Sequence, residues 1–229
     1  MARAVLGRVL VFDGPEGRVA GRVVEVEAYR GRRDPASHAH RGPTARNAVM
    51  FGRPGHAYVY FTYGMHHCLN LVSEPAGSAS AVLIRALEPL EGLDLMRRRR
   101  ARSGRPARRS GTRAAAPSLP ADPALMRGPG NVARALGLTR EHDGLDLTRG
   151  PLWLSDRPAE RGGRRIVPGT RIGIRTAVER PWRFHLKGHP SVSGSGVRER
   201  RSGARRPLQP RPEPDRSRRD PVPDARLHR

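Results

Sequence analysis

The strongest constraint on the fold is the segment GRVVEVEAY, in which valine and glutamate alternate. A period of two predicts a β-strand over residues 21–28, because successive strand side chains point to opposite faces. Glu25 and Glu27 would then share one face, while Val24 and Val26 occupy the other. Two strand residues span roughly 6.6 Å, a separation also found between the carboxylates of inverting glycoside hydrolases. Because glutamates on one strand face are common, the local pattern favours a solvated Glu27 over a general base.

A second strand is predicted at residues 58–62, after the turn signal Arg-Pro-Gly. Alternation places Tyr58, Tyr60 and Thr62 on one face of that strand. All four tyrosines, most of the histidines and the only cysteine lie within residues 21–70. Tyrosines beside a carboxylate suit stacking on a nucleobase, although a core role is the default for strand aromatics. We expect this stretch to carry the function of the chain.

Apolar runs elsewhere predict further strands and short helices. The predicted strands are 68–72, 81–87, 152–154, 171–174 and 183–186. Two helices are predicted, at 89–100 with proline in the first turn and at 132–137, entered through a Gly-rich turn and ended by glycine. A shorter helical segment is predicted at 44–51, with Thr44 as its N-cap. The apolar residues lie mainly between positions 5 and 187, which indicates one domain.

Positive charge is the most prominent bulk property, with a formal net charge of +23 at pH 7. Much of it lies in residues 97–113, with nine arginines and no acidic residue, and in residues 198–229, with eleven arginines against five acidic residues. Such charge favours a polyanionic partner such as nucleic acid. Because the charge is concentrated in two segments, it does not identify that partner by itself.

Two segments lack hydrophobic periodicity. Residues 101–121 are rich in Arg, Ala, Pro and Ser, and we predict a disordered insert there. From about residue 194 the chain loses its apolar content, so 194–229 is predicted to be a disordered Arg/Pro-rich tail. The remaining prediction is a folded domain at residues 1–193 that contains the insert.

The composition also bears on compartment and metal content. Apolar runs are short and interrupted by charge, and the N-terminal residues lack the features of a secretory signal, so we expect no membrane span and a cytoplasmic location. One cysteine excludes an internal disulfide framework and fits a reducing compartment. His38, His40, His66, His67 and Cys68 fit no standard zinc spacing, so we predict neither metal nor cofactor.

Five motifs, taken in order, resemble those of the alkyladenine (3-methyladenine) DNA glycosylase family. They are VEVEAYRG, HAHRGPTARN, MFGRPGHAYVYFTYGMHHCLN, AVLIRALEPLEG and GPGNVARALG. The resemblance covers roughly residues 5–190 and leaves out the predicted insert and tail. It implies an α+β fold, a single mixed α/β domain with a curved antiparallel sheet flanked by helices. It also implies a monomeric, monofunctional base-excision repair enzyme that acts on double-stranded DNA containing alkylated purines.

The resemblance assigns the catalytic roles to three residues. Glu27 corresponds to the general base that deprotonates a water for attack on C1′ of the deoxyribose. Arg85 and the backbone carbonyl of Ile172 correspond to groups that hold that water. Residues 21–70 contain no lysine that could form a Schiff base, so a lyase step is not expected.

The resemblance also implies a pocket for a base flipped out of the duplex, since a stacked base is inaccessible to the enzyme. Tyr29, His38 and Tyr60 match the walls between which that base stacks, where electron-rich rings favour a cationic alkylated purine. Asn70 matches the residue that obstructs the 2-amino group of guanine. Tyr63 matches the wedge that fills the gap left in the base stack.

Two alternatives remain open. The first is a non-catalytic nucleic-acid-binding protein on the same scaffold, which has no need of a carboxylate at Glu27. The second is an RNA-associated basic protein, which rests on charge alone and predicts a preference for RNA over duplex DNA.

Overall fold

The longest strand of the fold is β2, Gly17–Arg30, which carries the alternating valines and glutamates. It pairs antiparallel with β1 (Val9–Gly14) along its first half and with β8 (Arg183–Leu186) near its end. Its other edge pairs with β5 (Ser80–Glu91) over nearly the whole length. β2 is therefore the central strand, and both predicted glutamates lie at its most enclosed part.

The structure, a computed structural model, describes residues 1–101 and 122–194. All of the strands described form one antiparallel sheet in the order β3-β4-β5-β2-β1-β6, with β8 on β2 and β7 on β8. The other strands are β3 Ala57–Thr62, β4 His66–Val72, β6 Leu152–Leu154 and β7 Ile166–Gly169. Register shifts between β2 and β5 around Glu25 bend the pair, since an extra residue on one strand kinks it.

Two α-helices cover the sheet, α1 at Leu93–Ala101 and α2 at Pro129–Leu136. Helix α2 packs against β4, β5 and α1 and buries an apolar face in the core. It begins at Pro129, three residues before the predicted start at 132, and ends as predicted at Gly137, whose φ of 80° is left-handed. The predicted mixed α+β domain with a curved antiparallel sheet is confirmed.

Four short 3-10 helices complete the described elements. They are Gly31–Arg33, Ala48–Phe51, Asp122–Ala124 and Arg140–His142. The predicted N-cap at Thr44 is wrong, because Asn47 precedes the Ala48–Phe51 helix and no side chain caps it. The Asn47 side chain instead accepts a hydrogen bond from the Thr44 backbone N–H at 2.6 Å.

The predicted helix at 89–100 begins later than expected. β5 continues through Pro89 to Glu91, and α1 starts at Leu93. Proline is tolerated in this strand because Pro89 pairs with Gly21 at a register shift, where the ladder is already interrupted.

The predicted strand at 171–174 is wrong. The neighbouring residues Ile166–Gly169 form β7 instead, and 171–174 form bends. The Ile172 N–H donates to a glutamate side chain rather than to a neighbouring strand, and Gly173 has a φ of 80°. The predicted disordered segments lie outside the described residues, apart from Ala101 and Gly194. Among the described helices, none has the length and hydropathy needed to cross a membrane.

Candidate active site

A cavity of about 530 Å³ opens where β2, β3, β4 and β5 meet the loops at 35–38 and 172–176. Of the predicted site residues, all except Glu27 line this cavity: Tyr29, His38, Tyr60, Tyr63, Asn70, Arg85 and Ile172. They come from six separate segments of the chain. The fold therefore brings together the residues that the sequence motifs singled out.

Glu27 lies directly behind the cavity wall and is fully buried, so the solvated interpretation of this residue is wrong. Its carboxylate is held by three residues that line the cavity. Oε1 accepts hydrogen bonds from the Ile172 backbone N–H at 2.7 Å and pairs with Arg85 Nη1 at 3.2 Å. Oε2 accepts from the Tyr29 hydroxyl at 2.8 Å. Burial raises the pKa of Tyr29, and the negative charge of Glu27 raises it further, which keeps this hydroxyl protonated and donating.

The Glu27 carboxylate retains room for one more donor. A carboxylate offers about four acceptor positions, and the described contacts occupy three of them. The remaining position is on Oε2, beside the Tyr29 hydroxyl. The contact from Ile172 is made by its amide N–H, while the water-holding role predicted for its carbonyl stays a prediction.

Glu25, two residues earlier, is also fully buried and accepts four hydrogen bonds. Its Oε1 accepts from Arg85 Nε at 3.1 Å, Arg183 Nε at 2.6 Å and the Ser193 hydroxyl at 2.9 Å. Its Oε2 accepts from the Ser193 backbone N–H at 2.6 Å. Both glutamates contact the Arg85 side chain, which confirms that they share one face of β2. Of its three partners only Arg85 lines the cavity, which argues against a catalytic pair of carboxylates.

Aromatic side chains form the opposite wall of the cavity. The His38 and Tyr60 rings meet edge to face with centroids 4.5 Å apart, and the Tyr58 and Tyr60 rings lie 5.3 Å apart. The Tyr58 hydroxyl and His38 Nδ1 are 3.0 Å apart. Burial, assisted by the charge of Arg46, lowers the pKa of His38, and burial raises the pKa of Tyr58 to about 12. At neutral pH both groups are uncharged, and the guanidinium carbon of Arg46 lies 5.6 Å from the centroid of the Tyr60 ring.

Asn70 is buried beneath the aromatic wall and faces Tyr58 across the β3–β4 pair. Its Nδ2 donates to the Tyr58 backbone carbonyl at 3.1 Å, which fixes the plane of the amide. A fixed amide cannot rotate away from an incoming group. An amide that is predicted to obstruct a purine substituent needs this rigidity.

Tyr63 lies at the rim of the cavity, in the turn that joins β3 to β4. It is 78% exposed and has a φ of 52°, an uncommon conformation for a residue other than glycine. The ring stands out from the surface beside exposed Met65, which has 62% of its surface accessible.

Some cavity residues were missed by sequence reasoning. Strand alternation places Cys68 on the same face as Asn70, and the β4–β5 register places Leu83 opposite Asn70. The alternation was available in the sequence, whereas the register was not. Pro129 and Thr176 reach the cavity from distant segments, and no local signal identifies them. Within the described residues, no group of three or more His, Cys, Asp or Glu side chains is placed to hold a metal ion.

The chain matches a family model described as methylpurine-DNA glycosylase over residues 1–190. It is 47% identical to a protein of Rubrobacter xylanophilus, over 85% of this chain and 94% of the other. It is 48% identical to a protein of Rhodopseudomonas palustris over 84% of each chain, and 47% identical to one of Methanocella arvoryzae over 84% of this chain and 89% of the other. All three are provisionally named 3-methyladenine DNA glycosylases. The chain belongs to the methylpurine-DNA glycosylase family.

Proposed function

We propose that the protein is a monofunctional DNA glycosylase that hydrolyses the N-glycosidic bond of alkylated purines, such as 3-methyladenine and 7-methylguanine, in double-stranded DNA. The observation that carries the proposal is the buried Glu27 carboxylate, held by Arg85, Ile172 and Tyr29 at the wall of the cavity. The cavity volume falls within the range of small-molecule pockets, and its aromatic lining suits a flat base. The family assignment and the names of the relatives supply the substrate class.

In the proposed reaction the damaged nucleotide leaves the duplex and its base enters the cavity. A water bound at the open position on Glu27 Oε2 attacks C1′ as its proton passes to the carboxylate. The glycosidic bond breaks, and the base departs with the bonding electron pair. The Arg85 cation stabilises the negative charge of Glu27 before the proton arrives.

Selectivity in this proposal comes from charge and shape. An alkylated base such as 7-methylguanine carries a positive charge, which makes it a good leaving group and attracts it to the faces of Tyr29 and Tyr60. Normal purines are neutral and lack both advantages. The fixed amide of Asn70 obstructs the 2-amino group of guanine and of 7-methylguanine alike, so between these two bases only the positive charge of the methylated one discriminates.

Tyr63 acts in the proposal as the wedge that enters the space vacated by the flipped nucleotide. Its exposure and its position at the cavity rim support this role. The proposal further includes action as a monomer and a cytoplasmic location, and the single cysteine supports the location.

Single-turnover base release from a duplex with one 7-methylguanine tests the proposal. The wild type should leave an abasic site that alkali cleaves, and Glu27→Gln should bind the duplex but release base about 10²–10⁴-fold more slowly. Glu88→Gln is the matched control, because Glu88 pairs with Arg22 outside the cavity lining. Binding without release by the wild type would instead favour the non-catalytic protein, and a preference for RNA would favour the RNA-associated one. A Glu27→Gln variant as fast as the wild type would place the general base elsewhere.

A further inference from the structure

A buried ion pair, Asp34–Arg171, lies outside the cavity lining and has no part in the reaction proposed above. Both side chains are completely buried. The guanidinium binds the carboxylate with two parallel hydrogen bonds, one of them Nη2 to Oδ1 at 2.9 Å. Arg171 also donates to the Ala28 carbonyl at 3.1 Å. Asp34 additionally accepts from the Arg30 and Ala36 backbone N–H groups. The pair therefore links the end of β2 to the loop that follows it and to the segment before Ile172.

The guanidinium of Arg171 is stacked between two aromatic rings. Its central carbon lies 4.7 Å from the centroid of Tyr29 and 5.2 Å from that of Trp182. Tyr29 lines the cavity, whereas Arg171 does not. The cation therefore approaches the Tyr29 ring from the buried side, while the cavity lies on the accessible side.

This arrangement has an electrostatic consequence for any base that stacks on Tyr29. The negative face of an aromatic ring attracts cations, but a cation on one face repels a second cation on the other. Asp34 supplies the charge that balances Arg171. Burial alone would raise the pKa of the Asp34 carboxyl, but hydrogen bonding and charge from Arg171 outweigh burial, so the pKa lies below its ordinary value and the carboxylate stays ionised.

We propose that the Asp34–Arg171 pair determines the preference of the cavity for cationic over neutral bases, by setting the net charge beneath the Tyr29 ring. The proposal rests on the glycosylase function proposed above. With both partners present the underside of the ring is neutral overall, and a positively charged methylpurine is attracted to the open face. Loss of Asp34 leaves an unbalanced cation, whereas loss of Arg171 removes the cation from beneath the ring.

The test measures relative affinity for two duplexes whose 2′-fluoro nucleotides resist cleavage, one carrying cationic 7-methylguanine and one carrying neutral hypoxanthine. Asp34→Asn should reduce the ratio of the two affinities about tenfold, comparable to losing a favourable cation–π contact. Arg171→Gln should not lower the same ratio, because it leaves no cation beneath the ring. Either variant that folds provides the test, because damage to the scaffold weakens both complexes together and leaves the ratio unchanged.

Arg180→Gln is the matched control, since Arg180 stacks on Trp182 at 4.8 Å and has no described contact with Tyr29. Its ratio should equal that of the wild type. The proposal is overturned if both variants leave the ratio unchanged, or if both shift it in the same direction. Wild-type base release is measured in parallel with cleavable 7-methylguanine, so that failure of the glycosylase function is distinguished from failure of the selectivity proposal.

Discussion

Glu25 and Glu27 lie two residues apart on the same face of β2 and share Arg85, yet their surroundings differ. The Glu25 carboxylate receives four hydrogen bonds from Arg85, Arg183 and Ser193. The Glu27 carboxylate is held by three groups that themselves line the cavity. Equal burial thus accompanies a carboxylate held mostly by groups away from the cavity in one case and a carboxylate held by groups of the cavity wall in the other.

The difference shows that burial alone does not identify a catalytic acid or base. Buried charges are retained in proteins when they are paired and hydrogen-bonded, and both glutamates satisfy that requirement. What separates them is whether the groups that hold the carboxylate line the cavity. Glu25 joins β2 to β8 and to Ser193, whereas Glu27 joins β2 to the cavity wall.

Replacing Arg85 should produce the largest effect, because this residue contacts both carboxylates. Arg85→Met should lower the free energy of unfolding by about 3–5 kcal/mol, the typical cost of leaving a buried charge unpaired. Base release by the folded fraction should slow by about a hundredfold, since Glu27 loses its cationic partner. Denaturant unfolding and single-turnover kinetics measure the two effects.

The matched control for Arg85 is Arg183→Met, which removes a partner of Glu25 only. It should lower stability with a much smaller effect on base release. An equal loss of rate in both variants would contradict the division of roles between the two carboxylates.

Replacing Glu25 should chiefly affect stability. Glu25→Gln leaves Arg85 and Arg183 without their shared anion, and we expect a loss of about 3 kcal/mol in the free energy of unfolding. Glu88→Gln breaks a partly exposed pair with Arg22 and should cost less than about 1 kcal/mol. Urea denaturation of the two variants measures the difference. If Glu25→Gln were as stable as Glu88→Gln, the hydrogen bonds of the Glu25 carboxylate would have no importance for stability.

Replacing Tyr63 tests whether the rim of the cavity, away from both carboxylates, contributes to DNA binding. Because the side chain is 78% exposed, Tyr63→Ala should change the free energy of unfolding by less than about 0.5 kcal/mol. Affinity for a duplex with a damaged base should fall about tenfold, as expected when an aromatic group that stacks on bases is removed. Tyr63→Phe keeps the ring and should bind like the wild type, as a fluorescence anisotropy titration would report. Weak binding by Tyr63→Phe would assign the effect to the hydroxyl.

The smallest expected effect concerns two histidines, His38 in the aromatic wall and His185 in β8 opposite Glu25. Burial lowers the pKa of both, with a further contribution from Arg46 for His38 and from Arg183 for His185. As pH falls below the ordinary value of 6.5, the unfolded chain binds protons that the folded protein does not, so the free energy of unfolding declines. Unfolding measured between pH 7 and 5 should show a shallower decline in His38→Gln and in His185→Gln. A decline as steep as in the wild type would show that the histidine concerned does not contribute to the pH dependence of stability.

Most strands were predictable because alternation of apolar and polar side chains reflects the geometry of a single strand. The same local reasoning identified the C-cap of α2, where Gly137 adopts a conformation that favours glycine. It failed where a distant partner decided the outcome. Pro89 remains in β5 because Gly21 lies opposite it, and residues 171–174 leave the sheet because Ile172 binds Glu27.

The sequence by itself determined the residue types available at the site, the faces of β2 and β3 on which they lie, and, through five ordered motifs, the family resemblance. Only the tertiary structure decided that Glu25 accepts four hydrogen bonds, that Glu27 adjoins a cavity, and that Asp34 and Arg171 meet beneath Tyr29. The physical reason is that periodicity is set by neighbours a few residues apart. The hydrogen-bond partners and the charge balance of a buried group depend on residues that are distant in sequence. Asp34 and Arg171, for example, are more than a hundred residues apart and meet only when the chain is folded.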